Sequence, residues 1–368
     1  LDVLEKSPGV LVDVNGNISL KGKQGVLIYI DDKPTYLAAP DLANYLRSLS
    51  SGSIGSIEIM TTAPAKYDAA GNAGIINIRL KRVKTTGFSG GVNLSYGQGK
   101  YSKSNNSANL SYRLNKINLF SNISYNIGNF FQDLYINRTY FNNSAQLSSA
   151  FNQNTYIKMQ NEGANAKLGM DYYLTKKSTL GLVLTGFSNK SNNHTANQSV
   201  ISDQNLAVQN KVSAMSPMKR SFSNGSANLN YTLKLDEKGK ELSFNSDYLQ
   251  YGSEINQSLL SSTYAPDGSF LSKSNLVSNL PATIKITTAK ADFTLPLKNK
   301  AKFEAGAKAS FIRTGNIANF YDEENNTLSP NYTFSNSFNY RENINAAYLN
   351  YNFSKNKLSV QTGFRLEN

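Results

Sequence analysis

Phe88-Ser89-Gly90-Gly91-Val92-Asn93-Leu94-Ser95-Tyr96 alternates strictly, with Phe88, Gly90, Val92, Leu94 and Tyr96 on one side and Ser89, Gly91, Asn93 and Ser95 on the other. Successive side chains of a strand point to opposite faces, so the stretch predicts a ribbon with one apolar and one polar face. The pattern returns downstream. Ala108, Leu110, Tyr112 and Leu114 oppose Asn109, Ser111 and Arg113, and Ala164, Ala166, Leu168, Met170, Tyr172 and Leu174 oppose Asn165, Lys167 and Asp171. Ala227–Leu235, Ala289–Leu297, Phe303–Phe311, Ala347–Phe353 and Leu358–Leu366 repeat it.

Short polar turns fall at Asn115-Lys116, Lys176–Ser178, Asp236–Lys240, Lys298–Lys300 and Lys355-Asn356, about 60 residues apart. Longer polar segments lie between them: Gln98–Ser107, Asn142–Asn154, Ser202–Pro217, Ala265–Ser269 and Asp322–Pro330. Short turns at one end of long alternating strands and long loops at the other are the signature of an outer-membrane barrel. Eleven strands are expected, near 86–97, 108–115, 116–141, 155–175, 179–201, 218–235, 241–264, 270–297, 301–321, 331–353 and 357–368. Several exceed the ~9–11 residues that cross a bilayer, so they should rise well above it. An odd count leaves an unpaired edge that lipid cannot satisfy, so the barrel is expected to be cut short at its C-terminus.

Residues upstream of Thr86 have another texture. Val26–Ile30 reads as a strand closed by Asp31-Asp32-Lys33-Pro34. Pro40-Asp41 opens a helix with Leu42, Tyr45, Leu46 and Leu49 on one face. Ile57–Met60 and Ile75–Leu80 are further strands, separated by a small-residue turn through Gly71 and Gly74. Residues 1–84 are therefore expected to form a small α+β domain ahead of a mostly β domain over 85–368.

Composition bounds the chemistry. The chain has 368 residues, no cysteine and one histidine. Thiolate sites, disulfides and Ser-His-Asp or Cys-His catalysis drop out or nearly so, and no enzyme, cofactor or metal site is expected. His194 reads as a solvated loop residue. Mean hydropathy is −0.42, and no apolar run is long enough for a membrane helix. The net charge of +13 is scattered singly through the strands rather than clustered, which argues against nucleic acid; Arg79–Lys84 is the one tight cluster and reads as a linker or a contact between the two domains, with acidic lipid headgroups the alternative. Asp322-Glu323-Glu324 reads as a solvated acidic loop tip, and Tyr96, Tyr125, Tyr172 and Tyr231 as an interfacial girdle.

The first 80 or so residues resemble the plug domain of TonB-dependent outer-membrane receptors of the Bacteroidetes-type branch. The motifs are Pro8-Gly9-Val10-Leu11-Val12, Ile18-Ser19-Leu20-Lys21-Gly22, Val26 through Pro34, and Ile57-Glu58-Ile59-Met60 followed by Pro64 through Ile78. The rest of the chain resembles the family only in barrel texture. The resemblance implies a transmembrane antiparallel β-barrel, with about 11 of an expected 22 strands here, behind a plug. It implies energy-coupled uptake of a nutrient, such as a ferric chelate, across the outer membrane of a Gram-negative bacterium, with the plug on the periplasmic side of the lumen. A TonB-type coupling protein would act through a segment upstream of Leu1; outer-membrane lipid, the nutrient ligand and a surface lipoprotein are the other implied partners. Lys21, Asp31, Asp32, Glu58, Tyr67, Asp68, Asn72 and Arg79 are the candidates for plug–barrel or substrate-side contacts. The chain departs from the family at Asp32, where Gly is usual, at Lys21, where many members have Arg, and near Thr61-Thr62, where Arg is common. Those arginines pair with barrel carboxylates in the family. A non-transporting binding or adhesion receptor anchored by its barrel is the alternative, and a soluble carbohydrate-binding sandwich a third, opposed by the strand lengths.

Overall fold

The computed structural model describes residues 2–13, 16–31, 33–35, 39–49, 52, 54–61, 64–67, 73–80, 86–298, 301–355 and 358–368. Two kinds of structure follow one another. The first is built from a short helix α1 (Asp2–Glu5), strands β1 (Val10–Val12), β2 (Ile18–Leu20), β3 (Leu27–Ile30) and β4 (Lys33–Pro34), helix α2 (Ala39–Ser48), and strands β5 (Ile54–Met60) and β6 (Ile75–Leu80). β1 and β2 form an antiparallel pair; the other four make a sheet ordered β4-β3-β6-β5 in which β3 and β6 run parallel. A parallel pair needs a crossover, and α2 with β5 supplies it. Leu42, Leu46 and Leu49 recur at helical spacing and are buried with Leu20, Ile28, Ile76 and Ile78. Gly74 joins this core to β6 at φ +109°, where a Cβ would lie 2.5 Å from the Met60 carbonyl oxygen. Glycine is the residue that tolerates both demands.

The second is one antiparallel sheet of long strands: β7 (Gly87–Gln98), β8 (Ser102–Leu114), β9 (Ile117–Phe141), β10 (Leu147–Tyr173), β11 (Ser178–Ser202), β12 (Val208–Lys234), β13 (Glu241–Tyr264), β14 (Phe270–Pro296), β15 (Lys302–Glu324), β16 (Thr327–Pro330), β17 (Asn336–Lys355) and β18 (Leu358–Glu367). Each long strand pairs with the next in sequence, β16 hangs from β15, and β7 and β18 are the edges. The eleven expected strands are all present, and β16 is the one not foreseen. This is a partial, unclosed β-barrel wall.

Register sorts the side chains into two faces. One outward row reads Met170, Leu182, Leu229, Ser246, Ala289, Ala309 and Asn345 across seven strands. Val92, Leu94, Leu168 and Leu229 are 49–74% exposed, so the apolar face looks outward rather than into a dry core. In β9 the outward residues Ile117, Leu119, Ile123, Tyr125 and Ile127 span about ten residues from the short-turn end, the length that crosses a bilayer. Beyond this band the outward face turns polar, with Glu162 opposite Lys190. Tyr125, Tyr172 and Tyr231 stand on the outward face at strand ends or band edges, as a girdle requires.

The long loops are shorter than expected. β10 begins at Leu147 and β12 at Val208, inside segments whose polarity reads as loop. Above the band both faces of a strand meet water, so polarity stops reporting backbone state. What remains are tight hairpins built alike. Asn142 Oδ1 accepts from the amides of Ser144 and Gln146, each 3.0 Å, and Asp203 Oδ1 from Asn205 and Ala207 at 2.8 and 2.9 Å. Three residues after each cap the chain turns left-handed, at Ala145 and Leu206. His194 sits in mid-strand, opposite Lys158 and Pro217, not in a loop. Asp322 and Glu323 accept from Asn331 and Asn275 at 2.8 and 2.5 Å, so the acidic segment is a hydrogen-bonded strand end.

At the opposite end Asp236 uses the same device, accepting from Lys238 and Lys240 amides at 2.9 Å each. The amides, Lys240 first, hold its carboxyl below the ordinary value. A depressed carboxyl stabilises above its unfolded pKa and loses that contribution as pH falls through the folded one. Asp236→Ala should therefore speed hydrogen exchange at the Lys238 and Lys240 amides at pH 7, and the difference from the parent should shrink as pH falls through the lowered pKa of the folded carboxyl; equal exchange at pH 7 would remove the capping role.

Candidate plug–barrel interface

The small α+β unit rests against the inward, polar face of the sheet. α2 carries Tyr45 beside its core leucines, and this ring meets Phe187 of β11 edge-on with centroids 5.3 Å apart. Phe187 continues into Phe222 of β12, Tyr251 of β13 and Ile286 of β14, a buried apolar patch on an otherwise polar surface. The Tyr251 hydroxyl donates to the Thr35 carbonyl at 2.8 Å. On β10, Lys167 Nζ reaches Asp31 Oδ2 at 2.7 Å, both side chains being less than a fifth exposed. Farther round, Lys66 lies 3.9 Å from Glu304 of β15. The Ala65 amide donates to Asn350 Oδ1 of β17 at 2.9 Å, and Arg365 of β18 donates to the Ala65 carbonyl at 3.3 Å. A Cβ on Gly363 would come within 2.9 Å of the Ala65 methyl, so a side chain on β18 would push this loop away.

The sequence candidates divide. Asp31 is at the interface. It takes φ 50°, and its other oxygen accepts from the Leu80 amide at 3.0 Å, which fixes the carboxylate for Lys167. Glu58 and Arg79 face each other across β5 and β6 at 3.0 Å, with Asn77 also donating to Glu58 at 2.9 Å. That cluster belongs to the small unit's own sheet. Tyr67 is buried against Tyr29 edge-on, with Lys66 beside its ring; it sets the loop that carries Ala65. Lys21 sits exposed in a left-handed turn. Asp32, Asp68 and Asn72 lie outside the described residues, as do Lys81–Lys84. Sequence reasoning missed Tyr45, Ala65 and Lys66 and every barrel partner. Tyr45 was readable only as one of four apolar residues on a helix face. Lys167 carried no local signal beyond being polar on the inward side.

Burial pushes the Tyr45 hydroxyl up to about 12, with the nearby Asp31 charge adding in the same direction. The Tyr45 hydroxyl offers no acid–base chemistry near neutral pH. Among the described residues no group of three His, Asp or Glu could hold a metal. Among the described residues, two ion pairs, a few hydrogen bonds and one aromatic patch join the small unit to the wall.

Residues 233–368 match the Outer membrane protein beta-barrel family. The match covers 136 of the chain's 368 residues. The resemblance to TonB-dependent receptors rests on the motifs of the first 80 or so residues, and the matched segment lies in the other part of the chain. No curated protein matches the sequence. Solved structures similar to it include the ferric citrate transporter FecA in its unliganded form, at 14% identity over 99% of this chain and 59% of that one, TM-score 0.48. Others are the ferric yersiniabactin uptake receptor FyuA from Yersinia pestis, 12% identical over 95% and 58% with TM-score 0.43, and the siderophore receptor PiuA from Acinetobacter baumannii, 11% identical over 98% and 61% with TM-score 0.43. The chain spans about three fifths of the length of these proteins. The match of residues 233–368 and the outward apolar band support a place in the outer membrane.

Proposed function

We propose that residues 1–84 are the plug of an energy-coupled outer-membrane transporter and that 85–368 are the part of its barrel that grips the plug. The observation that carries this reading is the interface itself. A small folded unit is held on a polar inner wall by contacts that are individually modest: hydrogen bonds of about 1 kcal/mol net each and an ion pair whose partial burial puts it between the ~0–1 kcal/mol of exposed pairs and the ~3–5 kcal/mol lost on breaking buried ones. Such a stopper can be moved by an applied pull and can return. The polarity of the main ion pair is the reverse of the family's usual arrangement: the acid, Asp31, is on the plug and the base, Lys167, on the barrel. The Lys66–Glu304 contact keeps the usual sense at longer range. The net charge of +13 favours an anionic solute, such as a ferric chelate. A TonB-type partner in the periplasm would supply the pull.

Uptake of a labelled ferric chelate by cells carrying the protein should require the energising partner, and partner-independent uptake overturns the reading. Lys167→Met should loosen the plug by about 1–3 kcal/mol, seen as leak of small ions through the barrel in planar bilayers. The exchange Asp31→Lys with Lys167→Asp should recover part of the seal; a leak identical in single and double variants would show that the pair is not a latch.

A further inference from the structure

Two prolines stand where a sheet does not ordinarily take them. Pro217 lies within β12 and Pro281 within β14, and both strands have a neighbour on each side. Proline brings no N–H, so inside a sheet it removes a ladder hydrogen bond and is normally confined to edges and bulges. The register shows on which side each bond is lost. Pro217 pairs with His194 of β11 without interruption. Towards β13 the pairing steps from Met215 opposite Leu260 to Met218 opposite Gln257 and omits Ser216 and Pro217. Pro281 pairs with Glu254 of β13. Towards β15 the pairing steps from Asn279 opposite Asn319 to Ala282 opposite Asn316 and omits Leu280 and Pro281. The two breaks therefore fall on the two outer sides of one hairpin, β13–β14. Inside the hairpin the ladder runs unbroken from Glu241 opposite Thr294 to Thr263 opposite Ser272.

Both breaks lie beyond the apolar band. On β13 the band ends at Tyr248 and the break comes at Ser258; on β14 it ends at Ala289 and the break comes at Pro281. Above the breaks the hairpin is stiff in itself. Tyr264 and Phe270 meet edge-on with centroids 6.1 Å apart, and Asp267 Oδ1 accepts from the amide and hydroxyl of Ser269 at 2.9 and 2.7 Å. Its side-chain ties to the neighbouring strands are polar. Gln257 Nε2 donates to Ser216 Oγ at 2.8 Å across the first break, Lys211 Nζ to the Pro266 carbonyl at 2.9 Å, and Asn275 Nδ2 to Glu323 Oε2 at 2.5 Å. Water can take the place of each partner. The ladder pairs that resume above the breaks, 211–215 with 260–264 and 276–279 with 319–322, are cut off from the long ladders below. We infer that residues 258–280 form a flap that turns as one body about the line joining the two breaks. Leu259 and Leu276 stand opposite each other on its lumen side, by the alternation that turns Tyr251 and Ile286 inward. An inward turn carries these two side chains across the mouth of the lumen.

Alternate residues of an antiparallel strand direct their amides to alternate neighbours. Leu260 and Ser262 direct theirs to β12, Val277 and Asn279 to β15, and Leu259, Ser261 and Leu276 stay inside the hairpin. Hydrogen exchange of the full-length protein in lipid vesicles, resolved to single amides, should find the outer-side amides about tenfold faster than the internal ones. Pro217→Val should slow Leu260 and Ser262 by about threefold and leave Val277 and Asn279 unchanged, and Pro281→Val should do the reverse. Spin labels on Leu271→Cys, near the flap tip, and Ser144→Cys, at the tip of the β9–β10 hairpin, should give two distances in the parent and one in the combined proline variant. Heat-resistant folded mobility on gels shows that each variant is assembled. Neither measurement needs a solute or an energising partner, so the result is independent of the transport reading. Equal exchange of outer-side and internal amides in the parent overturns the flap. So does a single distance in the parent, or proline variants that exchange as the parent does.

Discussion

Leu229→Arg should cost about 2–4 kcal/mol of membrane assembly, because it puts a guanidinium at mid-band on the lipid face. Leu229 is 51% exposed and sits between Leu182 and Ser246 in the outward row. Asn230→Arg, one residue along, points into the polar lumen, where water is available, and should be nearly silent. The contrast is the test: in a water-soluble sheet the outward arginine would be harmless, since exposed substitutions usually change stability by less than about 0.5 kcal/mol. Folding yields into phosphatidylcholine vesicles, read by gel mobility and urea midpoint, measure both. Equal behaviour of the two variants would remove the bilayer from the account of this fold.

That contrast depends on a property legible in the sequence. Period-two alternation told Val92 from Asn93 and Leu168 from Lys167, and register turned those local choices into two continuous faces. The strand order followed from the turns, because antiparallel neighbours joined by short connections leave few other topologies. Loop lengths were not legible. Asn142 and Asp203 close five-residue hairpins by a side-chain cap, and nothing in a polar stretch marks where the cap falls. The interface was the least legible part. Asp31 could be picked out because it ends a strand in a motif. Its partner Lys167 is one of many inward polar residues, chosen only by where the small unit docks, 136 residues away in sequence. Glu58 and Arg79 were equally conspicuous yet satisfy each other inside their own sheet. A conspicuous charge pattern does not say whether its partner is local.

The docking patch makes the second large effect. Tyr45→Ala should weaken plug seating by about 2–3 kcal/mol, less than the ~3–5 kcal/mol for deleting a fully buried aromatic ring, because the partly buried ring covers Phe187 and the patch that continues through Phe222, Tyr251 and Ile286. Tyr45→Phe keeps the ring and should lose far less. The same residue imposes a pH dependence whose sign is fixed. Seated, its hydroxyl is pushed up to about 12 by burial; released into water, it titrates near 10. The seated state is therefore fully favoured below pH 10. It loses ground as pH rises from 10 towards 12, because only the released form ionises. Hydrogen exchange in α2 or disulfide trapping between cysteines placed on plug and barrel, followed from pH 8 to 11.5, should show release beginning above pH 10 in the parent and a smaller alkaline loss in Tyr45→Phe. If Tyr45→Ala seats as firmly as the parent, the plug is held by the polar contacts alone, and the Asp31–Lys167 pair, rather than the aromatic patch, would set the force needed to move it.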